Sequence, residues 1–119
     1  TSHLGTPFEV SFKDRILFLE EIGERAYRID RCLTQLQLSG VLKGCRGILF
    51  GQFTSCLEPD GRDLWSWVVK NWAKDIGIPV YSGVPSGHDI EQWPLSFGTM
   101  SEIKIVNDRC HLIIENKTW

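Results

Sequence analysis

The chain has no C-x-x-C pair. Its four cysteines (Cys32, Cys45, Cys56 and Cys110) are scattered, and its three histidines (His3, His88 and His111) complete no zinc-binding spacing. The cysteines therefore read as packed, reduced thiols. That favours a reducing compartment, the cytoplasm, and no metal or other cofactor is expected. No excess of charge is present either: 13 Lys and Arg stand against 15 Asp and Glu, a formal net charge of −2. Without a basic field, neither nucleic acid nor an anionic membrane is expected as the main partner. No apolar run approaches the roughly 20 residues that a membrane-spanning helix needs. TSHLGTPFEV lacks the charged-then-apolar order of a leader, and it opens on Thr1 rather than Met, as if cut from something longer. There is no internal repeat, no low-complexity segment and no G-x-S-x-G elbow that would carry a serine nucleophile.

What is present suits one globular domain spanning residues 1–119: 42% hydrophobic and 24% charged residues. RILFLE (15–20) reads as a strand buried on both faces. After it, Ala26, Ile29, Leu33 and Leu36 recur at helical steps, and Gly40 is a natural stop. CRGILFGQF (45–53) reads as a second buried strand. Asp60 or Asp63 can cap a second helix, whose stripe is Leu64, Val68, Trp72 and Ile76, ended by Gly77 and Pro79. IPVYSG (78–83) is a third short strand. The order β-α-β-α-β, with helix-length crossovers, predicts a parallel sheet. SEIKIVNDRCHLIIE (101–115) alternates around Asn107-Asp108, which predicts a hairpin and hence a mixed sheet with a terminal antiparallel pair. The fold class is α/β. Trp72 belongs to the core stripe, and Trp65, Trp67 and Trp93 are more economically read as covering core edges or a domain contact than as stacking platforms.

In open parallel sheets, ligands bind beyond the carboxyl ends of the strands. Those ends are Glu20-Glu21, Gln52-Phe53-Thr54 and Ser82-Gly83, and the loop SGVPSGHDIEQWPL (82–95) continues from the third. An acid, polar groups and His88 thus gather at one edge. Gln52 and Thr54 are the candidate substrate contacts there. A carboxylate holding one imidazole nitrogen leaves the other free to act as base. The plainer alternative is a solvated acid and a surface histidine in a Gly/Pro turn. Glu20 and Glu21 point to opposite faces of the strand, and the pattern does not choose between them. No nucleophile is evident: Ser82 and Ser86 lack a strand-to-helix turn, and no basic neighbour activates Cys56.

GTPFEV, RILFLEEIGERAYRIDRCLTQLQLSGVL, GILFGQFTSC, IPVYSGVPSGH and PLSFGTM, in this order, closely resemble the C-terminal domain of the LD-carboxypeptidases. These serine peptidases include the muramoyl-tetrapeptide carboxypeptidases and the microcin immunity proteins. The resemblance covers nearly the whole chain. It implies a swivelling β/β/α-type domain that completes a Ser-Glu-His triad with a serine and oxyanion donors on a separate N-terminal domain. The matching residues are Glu20, the first acid after the apolar strand, and His88 of the Gly-His pair. The family more often has Glu-Asp where this chain has Glu20-Glu21, and residues 89–93 depart from its pattern, so substrate contacts there do not transfer. The implied substrate is a murein tetrapeptide, cleaved before its terminal D-alanine during cell-wall recycling. Family members often dimerise, and a homodimer is compatible. Two alternatives stay open: an immunity-type peptidase acting on an acyl-nucleotide conjugate, and a binding domain that has lost its chemistry. Retention of both Glu20 and His88 argues against the latter.

Overall fold

In the computed structural model, which describes residues 1–107 and 109–115, the first apolar run forms strand β1 (Ile16–Ile22). Helix α1 (Ala26–Leu38), strand β2 (Gly47–Thr54), helix α2 (Trp65–Asp75) and strand β3 (Val80–Ser82) follow. The three strands lie in the order β1-β2-β3, and both pairings are parallel. This is the β-α-β-α-β order that the periodicity predicts. The last two strands, β4 (Ser101–Val106) and β5 (Arg109–Ile114), pair antiparallel as expected. Asp108 of the predicted turn lies outside the described residues.

One expectation is corrected. The hairpin does not extend the parallel sheet into a mixed one but forms a sheet of its own. β3 is only three residues long and pairs with β2, whereas β4 and β5 pair with each other along all six residues. The hairpin instead approaches the face of the sheet, where Ile103 Cδ1 reaches Gly47.

The two faces of the sheet differ. Leu17, Ile48 and Phe50 pack against Ala26, Ile29, Leu33 and Leu36 of α1 and Val68, Val69 and Trp72 of α2. Ile48 and Phe50 are wholly excluded from solvent. Trp72 meets Phe50 edge-on at 6.3 Å, and Trp65 stacks on Phe53 at 4.5 Å. Alternation sends Gly47, Leu49 and Gly51 to the other face, which is covered by the chain after β3. That cover is thin over β1, where Phe18 meets Phe97, a residue itself 75% exposed. β1 is therefore not buried on both faces as predicted. Only Leu17 is buried, the strand being an edge with a partial roof.

The helix starts are tied down by charge. The first turn of α1 has no cap from its own N-cap residue, Arg25. Glu58, from the loop after β2, replaces it. Its Oε1 accepts from the Ala26 N–H (3.2 Å), while Oε2 accepts from Arg25 Nε and Nη2 (3.0 and 2.7 Å). At α2, Asp63 Oδ1 accepts from the Ser66 N–H at 3.0 Å, whereas Asp60 pairs with Arg62. Of the two aspartates, Asp63 holds the helix start.

Candidate active site

The strand alternation that sends Leu17 and Leu19 toward the helices sends Phe18 and Glu20 to the opposite face, where the loop after β3 arrives. Glu20 Oε2 and His88 Nδ1 lie 2.8 Å apart, although 68 positions separate them in sequence. Glu21, the other acid at this strand end, turns back to accept from the Ile22 N–H at 2.9 Å. The pair stands in the open: the side chains are 30% exposed for Glu20 and 53% for His88. A single contact this exposed contributes only about 0–1 kcal/mol even when both partners are charged. The contact is therefore too weak to hold the loop in place, and the loop must be held by something else.

That something is β2. Its pairing with β1 slips at this point: Leu19 faces Phe50 but Glu21 faces Phe53, so β2 carries one extra residue opposite Glu20. Regular alternation would aim Gln52, like Ile48 and Phe50, at the helices. The bulge gives that place to Phe53, which packs on Phe50 and Trp65, and turns Gln52 to the loop. The Gln52 N–H donates to Ser86 O at 2.9 Å. Its side-chain Oε1 accepts from the Asp89 N–H at 3.1 Å, and its Nε2 donates to Glu91 O at 2.6 Å. Val84 N–H to Phe50 O (3.3 Å) starts the loop, and Trp93 N–H to Pro85 O (2.7 Å) closes it. Two glycines let the backbones come this close. A Cβ on Gly51 would lie 2.4 Å from Ser86 O, and one on Gly87 (φ +149°) would lie 2.9 Å from Gln52 Cβ.

Of the four candidate residues, Glu20, His88 and Gln52 come together. Thr54 does not join them: it ends β2, opposite Ile22, with its buried Oγ1 unpartnered. No serine hydroxyl among the described residues hydrogen-bonds the imidazole. Cys56 is 1% exposed, its Sγ lies 3.4 Å from Thr54 O, and burial pushes its thiol above the ordinary value, all of which disfavour thiolate chemistry. Among the described residues, no cluster of three or more His, Cys, Asp or Glu is arranged to hold a metal ion. The clamp at Gln52 depends on the register of two strands and leaves little trace in the sequence. A glycine inside a strand pattern was its one available signal, because such a glycine marks a bulge or a close backbone approach.

Chemically, a carboxylate on Nδ1 favours the tautomer with Nδ1 protonated and leaves Nε2 with a lone pair. The chain thus presents an oriented base at an open edge. A groove of about 910 Å³ runs along α1, but it includes neither Glu20 nor His88.

Comparison with known proteins bears on this arrangement. Residues 1–103 match the family model described as the LD-carboxypeptidase C-terminal domain. A putative carboxypeptidase of Synechocystis sp. is 37% identical over 105 residues, which are 87% of this chain and 35% of that protein. A probable murein peptide carboxypeptidase of Bacillus subtilis is 38% identical over 90 residues, 74% of this chain and 28% of that protein. The crystal structure of a muramoyltetrapeptide carboxypeptidase from Oxalobacter formigenes superposes with a TM-score of 0.82 at 30% identity, covering 98% of this chain and 42% of that one. The chain spans about a third of the length of the curated relatives it matches.

Proposed function

The chain belongs to the LD-carboxypeptidase family, as its C-terminal domain, and on that premise we propose that it supplies the general base and its orienting acid to a serine carboxypeptidase acting on murein peptides. The observation that carries this reading is the 2.8 Å contact between Glu20 Oε2 and His88 Nδ1. The substrate class is taken from the names of the murein peptide and muramoyltetrapeptide relatives.

Residues 1–119 act as one domain of the swivelling β/β/α type, and the serine with its oxyanion donors comes from an N-terminal domain docked against the loop edge. An open, half-exposed base fits such a division, because acyl transfer needs a water-poor, concave site that this edge alone does not form. The serine hydroxyl attacks the carbonyl carbon preceding the terminal D-alanine, and His88 Nε2 takes its proton. When the tetrahedral intermediate collapses, the C–N bond breaks and the same proton passes to the departing amine. Water then repeats the sequence on the acyl-enzyme, releasing the shortened peptide and restoring the serine. Glu20 holds the imidazole in the useful tautomer and stabilises the imidazolium formed in each step. The four free thiols fit a reducing compartment, and the cytoplasm is the proposed location.

The test is D-alanine release by the complete protein. His88→Ala is expected to lower kcat by at least about 1,000-fold and Glu20→Gln by about 100-fold or more. Neither should shift Tm appreciably, since the pair is exposed. Full turnover by His88→Ala would overturn the assignment. Hydrolysis of an acyl-nucleotide conjugate in place of the murein peptide would keep the triad and overturn the substrate.

A further inference from the structure

We infer that Gln52 is a positioning residue for His88: its side-chain amide pins the loop just after the imidazole while its main chain pins Ser86 before it, so loss of the side chain lowers turnover without weakening substrate binding. The inference rests on the reading of His88 and Glu20 as the working base and its orienting acid.

Three observations carry it. The first is location. The β2 bulge stands opposite Glu20, so the residue that it re-aims emerges beside the acid and beneath the histidine loop. The second is valence. The Asp89 N–H is a donor and Glu91 O an acceptor, and the Gln52 amide offers the complement of each at 3.1 and 2.6 Å, tying down the two sides of Ile90 directly after His88. A glutamate in its place keeps the acceptor but sets a carboxylate against a carbonyl oxygen. An alanine supplies neither. The third is redundancy. The Gln52 main chain separately holds Ser86, so removing the side chain frees the 89–91 half of the loop while the 84–86 half stays on the sheet. The fold should survive, and the imidazole should lose its fixed approach to Glu20. Gln52 was a candidate substrate contact from its strand-end position. With Oε1 and Nε2 both engaged by the loop, it would have to release the loop to reach a substrate.

The two roles separate kinetically. In the complete protein, Gln52→Ala is expected to lower kcat for D-alanine release by about 10- to 100-fold, the cost of misplacing a catalytic group by about an ångström, with KM within about threefold of the parent. Long-range proton–nitrogen correlation on His88 should show one tautomer in the parent and an average of two in the variant. Gln52→Glu, close in shape, should give the same split and tautomer change, and it carries the test if the alanine variant folds poorly. A rise in KM at unchanged kcat would show Gln52 to be a substrate contact and overturn the inference. Unchanged kinetics would overturn it too. His88→Ala, assayed alongside, keeps the failures apart: if it stays active the triad reading falls, whereas an inactive His88→Ala beside a fully active Gln52→Ala removes the positioning role alone.

Discussion

Gly51→Ala is the smallest change that should reach the candidate base through the backbone. The new methyl would sit 2.4 Å from Ser86 O and 2.5 and 2.8 Å from Phe18 Cζ and Cε2, where real Cβ contacts do not fall below 3.0 Å. The methyl has no free side to move into. Either the Phe18 ring leaves its place against Phe97, or the Ser86 carbonyl retreats and stretches its 2.9 Å bond from the Gln52 N–H. Overpacking of this kind costs about 1–3 kcal/mol. The reduced freedom of the unfolded chain returns about 0.4–1 kcal/mol, because the Gly51 backbone is not in the left-handed region. A net loss of about 1–2 kcal/mol corresponds to a Tm lower by about 4–8 °C for a domain of this size. The functional loss should be larger. Ser86 lies two residues before His88, and a shift approaching an ångström at a catalytic group costs about 100-fold in rate. Differential scanning calorimetry and D-alanine release by the complete protein measure the two effects. Gly61→Ala is the control: at φ +80° with open space around it, alanine there is strained without touching the loop, so stability should fall and kcat should hold. A Gly51→Ala protein with parental kcat would refute the coupling between strand and base, whatever its Tm.

Two further expectations concern the frame. Glu58 caps α1, and its hydrogen bond from Arg25 holds its carboxyl below the ordinary 4.5; the folded state therefore binds that proton less readily than the unfolded chain, and the stabilisation is complete above about pH 4.5 and fades as the pH falls through the depressed folded value. Urea denaturation should find Glu58→Gln less stable than the parent at neutral pH with the gap closing in acid, and a gap of constant size would contradict the cap. Phe50→Ala removes a side chain with no solvent exposure, packed on Phe53 and Trp72, and should cost about 3–5 kcal/mol by the same measurement; a loss below about 1 kcal/mol would mean that the core lies elsewhere.

The helices were legible because their signal is local. Ala26, Ile29, Leu33 and Leu36 recur at helical steps, and these four are the buried residues of α1. The parallel order followed from crossover length, again a property of neighbouring segments. What depended on a distant partner was not legible. ILFL in β1 is apolar at every position, so its alternation is silent about which face meets the helices. The choice between Glu20 and Glu21 turned on that. The detached hairpin was hidden for a related reason: alternation in β4 and β5 says that they pair with each other, not which edge or face they adjoin. The β2 bulge requires the register of two strands, which no single segment contains.

The Gly/Pro run at residues 82–87 reads in the sequence as a turn, and Gly51 simply lies inside the second strand run. In the structure they are two halves of one contact. Gly51 admits the Ser86 carbonyl, and Gly87 carries the chain over Gln52. An exposed Glu–His pair has too little energy of its own to fix a loop, so the precision of the imidazole has to be stored in the several half-buried contacts between the loop and β2 beneath it. The glycines make those contacts geometrically possible, and the Gln52 amide satisfies the polar groups of the loop that would otherwise be free to drift. This separates two properties that are often entangled. The pair contributes little to stability, so changes to Glu20 or His88 should read out almost purely as chemistry. The strand beneath contributes to both, and substitutions at Gly51 and Gln52 are where stability and rate can be weighed against each other in the same molecule.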